Sequence, residues 1–362
     1  MVQSNYPDSE DKRLTQNRED EKSTEKWGPY LSERQWGTVR EDYSADGNAW
    51  DYFTHDQARS RAYRWGEDGI AGISDNQQFI CFAPAFWNGK DPIIKERLFG
   101  LNNHEGNHGE DVKELYYYLE NTPTHAYMKY LYKYPIAAFP YDDLVIENEA
   151  RSKEQPEYEI LDTGVFDNDN YFDILIEYAK NGPDDILILI TVKNRSAKTA
   201  ILHILPTVWF RNQWSFGLSK YKPQIGNLLA QNNCHSVKVS HHSLDDYRFY
   251  FKEPTYTGFT ENETNTARIN NEPNDQPFKK DFFNDSLISG NTDQLKQKTA
   301  GTKFSPIYKA EIEADKTIEL RFRLSTLTDL SDPLGLEFDF IFAQRMKEGH
   351  EFFDSIFKKS VN

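Results

Sequence analysis

The side chains best suited to chemistry crowd into three stretches. Residues 87–114, WNGKDPIIKERLFGLNNHEGNHGEDVKE, hold His104, Glu105, His108, Glu110 and Asp111 among Gly100, Gly106 and Gly109. Two imidazoles beside carboxylates are the donor set of a metal site. Gly106 lies inside the His-x3-His spacing, however, and disfavours the helix that would bring both rings to one face. The same stretch also reads as a glycine-shaped loop whose polar side chains brace the backbone, or as a loop lining a sugar or domain interface. Residues 33–46 (ERQWGTVREDYSAD) and 59–68 (RSRAYRWGED) interleave Arg, Trp and acids. Such pairs either stack on and hydrogen-bond a neutral polyol or brace the loops internally. The candidate substrate or domain-interface residues are Trp36, Arg40, Trp65, Trp87, Asn88, His104, His108, Glu110 and Asp111. Inverting glycoside hydrolysis needs two carboxylates about 6.5–9.5 Å apart across one bond. Spacing selects no such pair among the 58 acids. With no Gly-x-Ser-x-Gly elbow and no phosphate-binding glycine loop, no catalytic, metal or cofactor residue is assigned.

The elements that must position these residues are mostly strands. Over residues 157–323 the apolar period is two, with candidate strands at 158–165, 171–178, 186–193, 200–209, 247–251, 305–312 and 317–324, preceded by an apolar stretch at 78–86. Turn signals such as Asn181-Gly182-Pro183-Asp184 and Ala314-Asp315-Lys316 separate several of them. Connections this short impose antiparallel neighbours. The predicted class is mainly β, a large antiparallel sandwich with a few short helices. Short helices are expected at 110–120, 123–132 and within 51–64. Residues 258–302, poor in aliphatics, are expected to form a long loop. Leu336, Phe340, Phe342, Met346, Phe353 and Phe357 recur broadly at helical spacing, predicting a connector helix over 337–357. Residues 1–26 carry twelve charges and four hydrophobic side chains, the composition of a disordered tail. The expected division is tail 1–26, sandwich 27–332 and linker helix 333–362.

Composition excludes several partners. The chain has 362 residues and a net charge of −16, which repels phosphate and so argues against nucleic acid and anionic membrane surfaces. Its longest aliphatic run, residues 186–190, is far below the ~18 residues of a membrane span. Cys81 and Cys234 form no metal or redox spacing, and the polar start shows no signal peptide. A reducing, cytoplasmic setting is expected, in which the sequons at Asn194 and Asn262 stay unmodified. Aromatic residues make up 14% of the chain, enough for a β core and for sugar-stacking surfaces.

Beyond these patterns, residues 33–44, 55–75, 87–114, 123–135 and 159–180 resemble the N-terminal part of bacterial glucosidases of glycoside hydrolase family 63, which includes the mannosyl-oligosaccharide glucosidases. LPTVWFRNQWS (205–215), FTENETN (259–265) and GTK (301–303) extend the resemblance, which covers about residues 27–357. It implies an N-terminal sandwich joined by a helical linker to a C-terminal (α/α)6 barrel. That barrel carries the general acid and base of an inverting reaction on oligosaccharides. Because the barrel motifs are absent, no family catalytic residue transfers to this chain. It is expected to be a non-catalytic sandwich portion whose partner is the barrel, in cis or in trans. The alternatives are a stand-alone carbohydrate-binding module and an inactive remnant of a split gene.

Overall fold

The computed structural model of the chain describes residues 9–19, 24–35, 44, 54–102, 104–108, 111–231, 234–328 and 330–360. The period-two segments build two large antiparallel sheets. Strands β1 (Trp27–Pro29), β2 (Ile73–Asp75), β3 (Ile80–Trp87), β10 (Ala200–Phe210), β15 (Lys303–Ile312) and β14 (Tyr256–Thr260) form a six-stranded sheet in that order. The second sheet has eight strands. It runs β11 (Gln224–Gln231), β12 (Cys234–Ser240), β13 (Tyr247–Lys252), β16 (Thr317–Ser325), β9 (Asp185–Asn194), β8 (Tyr171–Gly182), β7 (Tyr127–Pro135) and β6 (Leu115–Asn121). A small ribbon pairs β4 (Gly100–Leu101) with β5 (Asp111–Val112). The mainly β, large antiparallel sandwich expected from patterning is what the structure shows.

Alternation along each strand sends one set of side chains to the shared core. Ile186, Ile188, Ile190 and Val192 of β9 meet Phe172, Ile174, Ile176 and Tyr178 of β8. They face Phe82 and Phe86 of β3, Leu202, Ile204 and Val208 of β10, and Phe304 of β15. Each such side chain contributes roughly 1.5–3 kcal/mol by leaving water. The opposite phase of each sheet needs its own cover. On the eight-stranded sheet the cover is helix α6 (Leu336–Ser360). Its Phe338, Ile341 and Phe342 pack with Leu334 on Tyr127, Ala179, Leu187 and Tyr250. On the six-stranded sheet it is irregular chain carrying helices α2 (His55–Ala58), α4 (Thr266–Ile269) and α5 (Phe282–Ile288). There Phe282, Phe283, Leu287 and Leu295 pack on Ala85, Leu205 and Ile307. The long loop expected at 258–302 is thus largely the packed roof of a sheet.

Several local expectations give way to tertiary pairing. Where helices were expected at 110–120 and 123–132, β5, β6 and β7 form instead. The tyrosine-rich β6 pairs with β7 in register Tyr116↔Tyr132 and Tyr118↔Tyr130, which suits aromatic side chains better than a helix surface. The strand expected at 158–165 is a 3-10 turn, Ile160–Thr163, closed by a reciprocal cap between Glu159 and Asp162 and ended by Gly164. Of 51–64 only α2 is helical, and 51–53 lie outside the described residues. Helix α3 (Tyr141–Ala150) and strands β11, β12 and β14 were not anticipated. Within the expected disordered tail the structure has helix α1 (Ser9–Glu19). Polar anchors replace the missing apolar face. Buried Glu10 accepts from the backbone N and hydroxyl of Thr124, each at 2.6 Å, and Arg13 pairs with Glu348 of α6 at 2.8 Å.

Candidate functional site

The most elaborate polar construction lies on the outer face of the six-stranded sheet, under the roof. Its hub is Asn262, which is 1% exposed. The Asn262 side chain accepts from Tyr63 N at 2.8 Å and donates to the carbonyls of Tyr63 at 3.0 Å and Phe210 at 2.7 Å. Its backbone N–H donates to the Thr302 hydroxyl at 2.8 Å, and its carbonyl accepts from the Asn212 amide at 2.6 Å. A single side chain and its peptide thereby tie four stretches distant in sequence. The stretches are those quoted for the family resemblance: 55–75, 205–215, 259–265 and 301–303. Close backbone approach completes the knot. A Cβ on Gly301 would stand 2.3 Å from the carbonyl oxygen of Thr260, and one on Gly69 would meet the Tyr30 hydroxyl at 2.5 Å.

Around the hub runs a seam of buried charge. Arg97 donates through Nε to Asp68 at 2.8 Å, and Lys280 forms an ion pair with the other Asp68 oxygen. Lys303 donates to Glu96 at 2.7 Å. Burial opposes ionisation of Asp68, but Arg97 and Lys280 outweigh it and hold this carboxyl below its ordinary range. Its neighbour Glu67 accepts from Arg64 N at 3.0 Å and Trp65 N at 2.7 Å. Burial and the Asp68 charge push Glu67 up to about 7. Two carboxyls with opposed shifts are the pattern of an acid–base pair. Glu67 and Asp68 are only 3% and 5% exposed, however, and Asp68 is committed to two cations, so the pair is closed to a substrate in this arrangement. The seam continues to Glu263. Burial disfavours its charge, but hydrogen bonds from Lys222, Lys279 and the Trp214 indole bring it down to about 2.

Where the seam reaches solvent, rings and cations alternate. The Arg64 guanidinium lies 4.1 Å from the Phe216 ring centre and 5.0 Å from that of Trp65. Lys222 stands over Trp214 at 5.9 Å, and the ring of exposed Tyr221 lies tilted against His242 at 4.5 Å. Ring faces with fixed donors and acceptors suit a neutral polyol.

The residues singled out from sequence do not converge on one point. Trp65 is half-buried on the Glu67 turn near the start of β3. Trp87 closes the other end of β3, where its indole donates to Asp91 O at 3.0 Å and packs 4.8 Å from His203. Asn88 donates to the carbonyls of Pro135 at 3.0 Å and Ala137 at 2.7 Å, tying its loop to the end of β7. His104 and His108 are exposed on a different loop, where His108 contacts Gln155 O at 2.9 Å. Asp111 lies in β5, and its side chain is outside the described residues, as are Trp36, Arg40 and Glu110. Among the described residues no three His, Cys, Asp or Glu side chains gather to hold a metal ion. No described helix is long and apolar enough to cross a membrane. Sequence reasoning passed over Asn262, Glu263, Arg97 and Lys280. The polar run ENETN directly after an apolar strand was the available signal for the first two.

No family model matches the chain. Among solved structures, likenesses include a polysaccharide lyase (TM-score 0.30, 10% identity, 68% of this chain and 25% of that one). They also include a galactose mutarotase related enzyme from Lactobacillus acidophilus (TM-score 0.28, 9% identity, 73% and 93%). A kojibiose phosphorylase candidate from the human microbiome has TM-score 0.32 and 11% identity over 91% of this chain and 37% of that one. In sequence, the chain is 39% identical over 393 aligned positions to the uncharacterized protein YMR196W of Saccharomyces cerevisiae. That match takes in 95% of this chain and 35% of the yeast protein, so the chain spans about a third of the length of its curated relative.

Proposed function

We propose that this chain is the β-sandwich module of a larger cytoplasmic glycoside hydrolase. The enzyme would be an inverting, α-glucosidase-like hydrolase of family 63 type acting on oligosaccharides. The sandwich braces an (α/α)6 catalytic barrel, walls part of its sugar pocket, and does not hydrolyse sugar alone. The observation that carries this reading is the second apolar side of α6. With one side seated on the eight-stranded sheet, the helix still leaves Leu336 88%, Phe340 68% and Met346 38% exposed. An apolar stripe on the far side of a packed helix is the mark of a docking face. The length of the yeast relative supports a further protein body as its occupant. The motif stretches gathered at Asn262 support an architectural role for the roof, and the free thiols of Cys81 and Cys234 support a reducing compartment.

The test is co-expression of this chain with the C-terminal two thirds of a full-length relative, followed by co-purification and assay of glucose release from α-glucosides. The pair is expected to co-purify and to release glucose, and the chain alone to release none. Enzyme-like turnover by the isolated chain would overturn the reading.

A further inference from the structure

Away from both the Asn262 hub and the outer side of α6, a cleft of about 210 Å³ opens between the edges of the two sheets. One wall is the turn after β13 and the start of β14. The roof segment that carries the 3-10 helix Thr292–Gln297 supplies the other, and His235 of β12 closes the end. The floor is apolar, made by the ring of Tyr256 and by Leu295, which is 1% exposed. The walls are hydroxyl and acid. His235 Nε2 is hydrogen-bonded to Glu253, whose side chain is 77% exposed and keeps its remaining acceptor capacity toward solvent. Thr255 accepts from Lys309 N at 3.0 Å, leaving its hydroxyl proton to donate. Thr257 and Thr292 line the cleft, and their hydroxyls make no hydrogen bond among the described residues. Lys296 is paired with Asp293 at 2.9 Å.

We propose that this cleft binds a single neutral pyranose ring, as a glycan-anchoring site. Four features carry the assignment. Carboxylate and hydroxyls offer both acceptors and donors at close spacing, which a vicinal diol matches and a simple anion or cation does not. The charged groups at the cleft are each engaged by a partner, Glu253 by His235 and Lys296 by Asp293, so neither stands as an isolated charge to select an ionic ligand. The volume lies below the ~300–1,000 Å³ of drug-sized pockets and suits one ring rather than a chain of them. The apolar floor receives the C–H face of the ring, as an aromatic side chain does in any polyol contact.

The experiment is titration of the intact chain with D-glucose, D-mannose and D-galactose. Glucose 6-phosphate and choline serve as charged controls, and the readout is backbone amide chemical shifts. Neutral sugar is expected to move the signals of residues 253–257 and 292–296, with dissociation constants of order millimolar (~1 mM). Glu253→Gln should weaken binding about tenfold by removing a charge-assisted acceptor. Thr292→Trp, which fills the cleft from the roof side, should abolish it while leaving the melting temperature near that of the parent chain. Three results would overturn the proposal: shifts confined to other surfaces, equal affinity in both variants, or preference for either charged control. None of these bears on docking at α6, which involves another face of the molecule, so the two readings fail independently.

Discussion

The two outer faces of this sandwich solve the same problem in opposite ways. The eight-stranded sheet is covered by one amphipathic helix seated through Phe338, Ile341 and Phe342. It is pinned at its start by Arg323, which makes two bonds to Asp185 at 2.7 and 2.6 Å and one to Glu337 at 3.1 Å. The six-stranded sheet is covered by irregular chain held through buried ions and the amide of Asn262. Apolar packing is non-directional and tolerates sliding and substitution. A buried ionic seam works only in one geometry, because any member left alone keeps its desolvation cost. The roof is therefore the precise part of the molecule, and α6 is the adaptable part, in keeping with the docking role proposed for its outer side.

The largest expected effect that separates the two faces is at Asp68. Asp68→Ala leaves Arg97 and Lys280 buried without their carboxylate and should cost about 3–5 kcal/mol in urea denaturation. A loss below about 1 kcal/mol would mean that the seam is hydrated and the contrast false. Phe338→Ala removes the ring at the centre of the helix seat and should cost about 3 kcal/mol by cavity formation. Its effect should be independent of pH, unlike that of the seam.

Glu67 sharpens this point. Its folded-state pKa of about 7 lies above the ~4.5 of an ordinary glutamate. The folded chain thus binds the Glu67 proton more tightly than the unfolded chain. The resulting stabilisation is fully present below about pH 4.5 and is lost as pH rises through about 7, an amount of roughly 3 kcal/mol. Glu67→Gln should flatten that part of the stability profile and make the chain relatively more stable at pH 8. An unchanged slope would remove Glu67 from the account. The smallest effect is expected at Phe340. Phe340→Asp should change the stability of the isolated chain by no more than about 0.5 kcal/mol while abolishing co-purification with a C-terminal partner. A large loss of stability would show that the outer stripe belongs to this fold rather than to a docking face.

Legibility followed the range of the interactions. The strands of β8, β9, β10 and β16 were readable because period-two burial is written in consecutive residues. The helix α6 was readable because its apolar positions recur every turn. The β6–β7 hairpin was misread as helix because its acidic start resembles a first helical turn. What makes it a hairpin is the tyrosine pairs across its strands, contacts absent from any local window. Of the candidate site residues, Trp65 lies beside Arg64 at the edge of the seam, Trp87 lies at the other end of β3, and Asn88 is tied to backbone carbonyls far along the chain. The ion pairs of the seam were unreadable for the same reason. Asp68 and Lys280 lie more than two hundred positions apart, and with 58 acids and 42 bases nothing local selects one partner from another.

Residue pattern alone was enough for the sandwich class, the antiparallel order of neighbouring strands and the trailing helix, since each depends on which side of a strand or helix turns apolar. Which charges are buried together, that an expected loop is a roof, and that Glu67 rests near neutrality were settled only in three dimensions. Those properties depend on desolvation, which exists only once distant segments have closed over the same space.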